Sequence, residues 1–475
     1  MEYSKYGLNL IASKFRDYII KANSISEVKE SFYDLSYKGQ INDMYIRPTL
    51  WKIMLTTLPS DDSTTIETWI NTVHQQRQKY KNKLIELSNI KKFKHNPLDN
   101  KPDELWLTFY SENDAWKLIH LDIDRTFQDK VLFTLKSTKD IISRILFVWT
   151  KDHPYPSYRQ GMNEIVGILF LTLFQYYLPI DSQYKKDILT LLQMARTDPV
   201  KYYKELYLFL HDENEIEADI FMLYENIMDF GLCQFFEVPI KERGDDESKL
   251  TYLLNRCERI VHEDLNAYDN RLYKHFNEID LDCTMFLQRW LKCLFDREFT
   301  FEEVVILWDY ILSKQKKENK KGFLIADYIS LAMIENVKSQ VITKEQNDAF
   351  RILFRYPKVD SMNTIIKLTE KIIKELPFKL IENARPQNEV KGKSLMEQEM
   401  LQKENSKSKY YTYVVGNTNK NINNVDNNNK NGNVQLKSLV RNLEEYITKY
   451  RLDMQLRDIG RMDELFEKIY TLLKK

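Results

Sequence analysis

An all-α fold is the class this chain predicts, and three observations carry it. Only 11 glycines and 12 prolines stand among 475 residues, too few for the turns of an all-β fold or for phosphate-cradling loops. Apolar residues recur at helical spacing. Trp116, Ile119, Ile123 and Phe127 make one stripe, and Ile216, Ile220, Leu223 and Ile227 make another. Helix-start chemistry precedes apolar runs: Thr64 with Glu67, and Thr300 with Glu303, both fit the capping box, in which each side chain satisfies the other's orphan backbone N–H.

Taken in order, the elements follow from the same patterns. The stretch MEYSKYGLNLIASKFRDY is amphipathic and interrupted by charge, unlike a secretory signal, and residues 1–38 are expected to form a helical extension. One large helical domain is expected over 39–385. Within it, IVGILFLTLFQYYLPI (165–180) is too short for a membrane span of about 20 residues and predicts a buried core helix. Residues 182–214 read as a long polar connection, whereas FEEVVILWDYIL after Thr300 is apolar on most sides and predicts a second buried helix. Composition changes near residue 385. Residues 388–409 are charged and 417–433 are dominated by asparagine, so 386–434 predicts a disordered low-complexity linker, interrupted by a strand-like YYTYVV at 410–415. Apolar stripes on either side of Gly460 predict a C-terminal amphipathic helix or helical hairpin over 435–475.

Charge and cysteine usage narrow the function classes. The formal net charge is zero, which argues against nucleic-acid binding through bulk electrostatics and against a polybasic membrane anchor. Cys233, Cys257, Cys283 and Cys293 share no metal-like spacing and read as reduced core residues of a cytosolic protein. No metalloprotease, nucleophile-elbow, Walker or dinucleotide motif is present. His262-Glu263-Asp264 lacks a partner and reads as surface.

Three segments remain. In IRPTLWKIML, Arg47 and Trp51 stand four apart on one helix face, which alone describes a core tryptophan beside a solvated arginine. In IHLDIDRTF (119–127), helical geometry would place Asp122 three before and Asp129 four after Arg125, so carboxylates could orient its guanidinium; alone, this too is a solvated face. In SYRQGMNE, Gly161 permits close backbone approach and Gln160 presents a carboxamide from a rigid base.

In this order the three segments resemble the TBC domain, the helical domain of GTPase-activating proteins for Rab GTPases. Its motifs R-x-x-x-W, I-x-x-D-x-x-R-T and Y-x-Q-G-M-N stand here as Arg47 to Trp51, Ile119 to Thr126 and Tyr158 to Asn163. EADIFMLYENIM (217–228) and QRWLKCLFDREFTFEEVVILWDYIL (288–312) look like the family as well, so the resemblance covers roughly residues 39 to 380. The spacer HNPLDNKPDELW, with Asp-Arg-Thr-Phe downstream, is most similar to the endosomal, retromer-linked subgroup that acts on the late-endosomal Rab. The resemblance implies a TBC-type multi-helix domain that supplies catalytic groups in trans, Arg125 as arginine finger and Gln160 as the group that orients the attacking water. It implies supporting roles for Asp122 fixing Arg125, for Arg47 and Trp51 bracing that region, for Thr126, for Tyr158 anchoring the loop, and for Gly161 and Asn163 shaping its backbone. No cofactor is implied, since Mg²⁺ and GTP arrive with a GTP-bound Rab partner. Asp124, next to Arg125, would compete with the γ-phosphate for the guanidinium. A catalytically silent Rab-binding scaffold is the alternative, and the C-terminal helices are expected to serve self-association or partner binding, with a coat or sorting complex as the candidate partner. Recruitment to endosomal or other membranes from the cytoplasm follows from the same resemblance.

Overall fold

Ile119 and Ile123 of the first stripe and all four residues of the second are buried on helices. The computed structural model describes residues 5–21, 25–37, 41, 46–61, 64–90, 103–178, 188–237, 251–317 and 322–376. The expected linker, its YYTYVV segment and the C-terminal helices lie outside the described residues. Among the described residues there is no strand, only an isolated bridge between Leu178 and Asp212. No described helix is long and apolar enough to cross a membrane.

In chain order the helices are α1 (Lys5–Lys21), α2 (Ile25–Tyr37), α3 (Arg47–Met54), α4 (Ile66–Ile90), α5 (Asp103–Ile123), α6 (Lys136–Asp152) and α7 (Met162–Phe174). Next come α8 (Ile188–Thr197), α9 (Pro199–Leu210), α10 (Ile216–Asp229) and α11 (Tyr252–Arg259), the last running through a π-helical turn into the short α12 (Asn266–Tyr268). The remainder are α13 (Asn270–Glu278), α14 (Thr284–Lys292), α15 (Phe301–Lys317), α16 (Ile325–Asn336), α17 (Lys338–Val341), α18 (Gln346–Phe354) and α19 (Met362–Glu375).

The greasy run is helical as far as Phe174, in α7, and leaves the helix at Gln175, while α15 is the second buried helix. The capping box ahead of α15 forms: Thr300 N–H donates to Glu303 Oε2 at 2.9 Å and Glu303 N–H to Thr300 Oγ1 at 3.4 Å. The one at Thr64 does not form. Helix α4 starts one residue later than that pairing requires, so Thr65 takes the cap and its Oγ1 accepts from Thr68 N–H at 3.3 Å. Residues 188–210, expected as polar connection, are instead two helices, α8 and α9. Asp198 caps α9 and Pro199 starts it, while Tyr207 and Leu210 are fully buried and Phe15 of α1 packs edge-on to Tyr207 at 5.4 Å. Period and capping therefore outweigh the polar composition of that segment.

Charges inside the core tie distant helices together. Asp219 on α10 accepts from Lys52 at 2.8 Å, from Arg77 through two bonds of 2.8 and 2.7 Å, and from the Tyr177 hydroxyl at 2.5 Å. Burial lowers the Lys52 ammonium to about 8 despite the Asp219 charge, and Arg77 beside it acts in the same direction. The bidentate Arg77 is thus the main partner of the carboxylate. Burial, with the Lys52 charge next, lowers His211 to about 3, which leaves the ring neutral.

Candidate functional site

Three turns converge at the N-terminus of α7, and each places a chemically distinctive group there. The first follows α5. That helix ends at Ile123, so Arg125 sits in a turn, and its Nε and Nη2 both donate to Asp122 Oδ1, the former at 3.1 Å. Arg125 has a side chain 57% exposed, against 1% for Asp122. An ion pair so exposed at one end contributes little stability; its effect is to aim the guanidinium from a buried base. Because the helix has ended, Asp129 is not one turn beyond Arg125 as helical spacing implied. It is exposed and pairs with Lys130 at 3.8 Å. Asp124 is engaged by Lys139 Nζ at 2.8 Å.

The second turn precedes α7 and carries Tyr158, Gln160 and Gly161. Gly161 adopts φ +105° as the residue capping α7, a left-handed conformation that side chains disfavour. Gln160 is exposed, while Tyr158 and Asn163 are buried. The Tyr158 hydroxyl donates to Asp122 Oδ2 at 2.8 Å and lies 3.2 Å from Asn163 Oδ1. Asn163 Oδ1 accepts from Gly161 N–H at 3.0 Å, and its Nδ2 donates to Thr126 Oγ1 at 2.8 Å. Thr126 Oγ1 in turn donates to the Asp122 carbonyl at 2.8 Å. Three of these bonds, Tyr158 to Asp122, Asn163 to Thr126 and Thr126 to Asp122, together with the backbone between Tyr158 and Asn163, close a ring through both turns. Burial, with the Asp122 charge next, pushes the Tyr158 phenol well above its ordinary value, so it stays a donor.

A packing contact joins the same two elements. Phe127, at φ 43°, lays its ring on α7 where Gly167 leaves room. A methyl group at Gly167 would sit 2.5 Å from Phe127 Cε2. Gly167→Ala is therefore expected to lower stability by about 1–3 kcal/mol, because the ring must move off the helix. Urea denaturation checks this, and an unchanged midpoint would mean that Phe127 does not hold the turn in place.

Arg47 and Trp51 are not at this ring. Arg47 is buried, not solvated, and its Nε lies 3.2 and 3.1 Å from the Asp309 carboxylate oxygens; Trp51 Nε1 donates to Asp309 Oδ1 at 2.7 Å. Arg47 Nη1 also donates to the Tyr176 hydroxyl at 2.7 Å, just beyond the end of α7. The pair thus braces α15 and the C-terminal end of α7 rather than the Arg125 turn.

The third turn, after α14, holds residues sequence reasoning passed over. Leu294 and Phe295 both have positive φ (44° and 67°), and this pair of left-handed residues delivers Asp296 and Arg297 to the first turn of α7. Arg297 grips Glu164 in α7 with Nε at 2.8 and 2.7 Å from the two carboxylate oxygens and with Nη2 as well. Glu164, Cys293 and Asp296 bring ligand-type atoms within 4.8 Å of one another, the only such group found among the described residues. Arg297 occupies both Glu164 oxygens, so a cation would have to displace it. The geometry fits proton sharing better than metal binding.

An exposed guanidinium held by Asp122, and an exposed carboxamide on a turn held by Asn163, can stabilise negative charge and orient water on a bound partner. A family model described as the Rab-GTPase-TBC domain matches residues 44–342, more than half of the 475 residues. TBC1 domain family member 5 of Mus musculus is 23% identical over 372 residues, covering 75% of this chain and 43% of that protein. The chain therefore spans less than half the length of that relative. TBC1 domain family member 13 of Homo sapiens is 24% identical over 435 residues, covering 75% of this chain and 96% of that protein. The crystal structure of the Ypt/Rab-GAP domain of Gyp1p superimposes with a TM-score of 0.54 at 21% identity, covering 77% of this chain and 98% of that one, which shows a common fold.

Proposed function

Since the chain belongs to the Rab-GTPase-TBC domain family, we propose that it accelerates GTP hydrolysis by a Rab-family small GTPase, with Arg125 and Gln160 supplied in trans. The observation that carries this reading is the hydrogen-bonded ring linking Asp122, Thr126, Tyr158 and Asn163. It ties the turn that presents Arg125 to the turn that presents Gln160, so the two turns are fixed relative to each other. Phosphoryl transfer asks the protein for positioning and charge stabilisation rather than for a nucleophile.

In this mechanism the Arg125 guanidinium would meet the charge that develops on the transferring phosphoryl group. Asp122 uses Nε and Nη2, which leaves the Nη1 donors for the phosphoryl oxygens. The Gln160 carboxamide would orient the attacking water. Mg²⁺ and nucleotide would come with the GTPase. Asp124, held by Lys139, supports the reading, since its charge is directed to a lysine rather than to Arg125. Action at endosomal membranes, with the chain recruited from the cytoplasm, rests on the likeness of its spacer to the retromer-linked subgroup, and the C-terminal region would contact a coat or sorting complex.

A panel of GTP-loaded Rabs tests the proposal by single-turnover hydrolysis. At least one Rab is expected to be accelerated by the wild type, and Gln160→Ala to reduce that acceleration by about a hundredfold while Rab binding is kept. If the wild type binds a Rab without accelerating any member of the panel, the chain is a scaffold and the activator reading fails.

A further inference from the structure

The third turn contains a carboxyl group in an unusual position. Asp296 is 6% exposed, and no hydrogen bond reaches either of its carboxylate oxygens, both of which are covered. An ionised carboxylate in that state would carry its desolvation cost without return. Glu164 lies in the same cluster of atoms within 4.8 Å. The guanidinium of Arg297 is spent on Glu164, through Nε and Nη2. Two buried carboxyls share one cation, which favours a proton on one of them.

The other charges nearby do not change that balance. Glu298, on the same turn, is held by Arg289 through bonds of 2.8 and 2.7 Å. Burial, with the Asp296 and Glu164 charges next, pushes the Cys293 thiol well above its ordinary value, so it is neutral. With Asp296 neutral, the Glu164 and Arg297 charges cancel. With Asp296 ionised, one buried negative charge has no counterpart.

We propose that Asp296 stands as a neutral carboxylic acid whose proton bridges to Glu164, and that this bridge is a positioning element for the Gln160 turn. Burial, and then the Glu164 charge, act in the same direction on the Asp296 carboxyl and push it well above its ordinary value. Glu164 sits in the first turn of α7, with its N–H bonded to the Gly161 carbonyl at 3.2 Å. Holding Glu164 therefore holds the residue that follows Gln160. The functional half of the proposal rests on the activator reading; the proton bridge itself does not.

Three measurements separate these halves. Isotope-edited infrared spectra of the full chain, with carboxyl-labelled aspartate at neutral pH, should show the carbonyl stretch of a buried neutral acid, lost in Asp296→Asn. Stability should also depend on pH through this group. Its folded value lies above the ordinary 3.8, so the folded state binds the extra proton, and the contribution declines as pH rises from about 3.8 through the folded value. Asp296→Asn, which keeps a neutral donor, should flatten that decline. In Rab hydrolysis, Asp296→Asn should stay within about twofold of wild type at neutral pH, while Asp296→Ala should lose about tenfold or more.

Absence of the infrared band, or an unaltered pH slope in Asp296→Asn, would overturn the proton bridge. Equal activity of the asparagine and alanine variants would overturn its positioning role. If the band and slope appear but the wild type accelerates no Rab, the bridge stands and only the activator reading falls.

Discussion

Arg125→Lys is expected to remove most of the acceleration of GTP hydrolysis, by about 10³-fold or more, the scale of an arginine supplied in trans to a small GTPase. The reason lies in how Asp122 holds the guanidinium. Nε and Nη2 bond the carboxylate, and the planar fork still has Nη1 for the phosphoryl group. Lysine has a single nitrogen, so a lysine bound to Asp122 cannot also reach the substrate with a second one. Stability should change little, because the native side chain is 57% exposed. Single-turnover hydrolysis and direct binding of GTP-loaded Rab, measured on the same variant, decide the matter. A lysine variant within tenfold of wild type would remove Arg125 from the mechanism.

Asp219→Ala should have the largest effect on stability, a loss of about 3–5 kcal/mol, because it leaves buried cations without their counter-charge. Asp219 is 5% exposed and receives both Lys52 and Arg77. Burial opposes the ionised form, yet the Arg77 and Lys52 charges hold the carboxyl well below its ordinary value of 3.8. A depressed folded value means that the contribution is present above about pH 3.8 and is lost as pH falls toward the folded value. The alanine variant should therefore lose both midpoint stability in urea and that acid limb of the stability profile. A loss below about 1 kcal/mol, the scale of a surface pair, would show that the network does not act as a buried anchor.

The fold class was legible because helical period and capping are local. Residues three or four apart in the sequence meet on one helix face, so the stripes at Ile119 and Ile216 and the box at Thr300 could be read directly. Local reading failed where geometry stopped being local. Asp129 stands at helical spacing from Arg125, but α5 ends at Ile123. Residues 188–210 look polar, yet Leu191 of α8 and Tyr202, Leu206, Tyr207 and Leu210 of α9 are buried. Arg47 read as a solvated arginine because its partner Asp309 is 262 positions away.

The sequence alone established which residue types stand at the candidate site and in what order: an arginine three residues after an aspartate, and a glutamine before the glycine that opens the greasiest helix. Their chemistry depends on those side chains, and the order of the motifs was enough to point to the family. Only the tertiary structure decided what holds them. The ring through Asp122, Tyr158, Asn163 and Thr126, the Phe127 ring seated at Gly167, and the Arg297–Glu164–Asp296 cluster all join segments far apart in the chain. A buried carboxylate requires donors or a counter-charge from somewhere. Periodicity shows which residues turn inward, and folding alone determines which distant partner each of them meets.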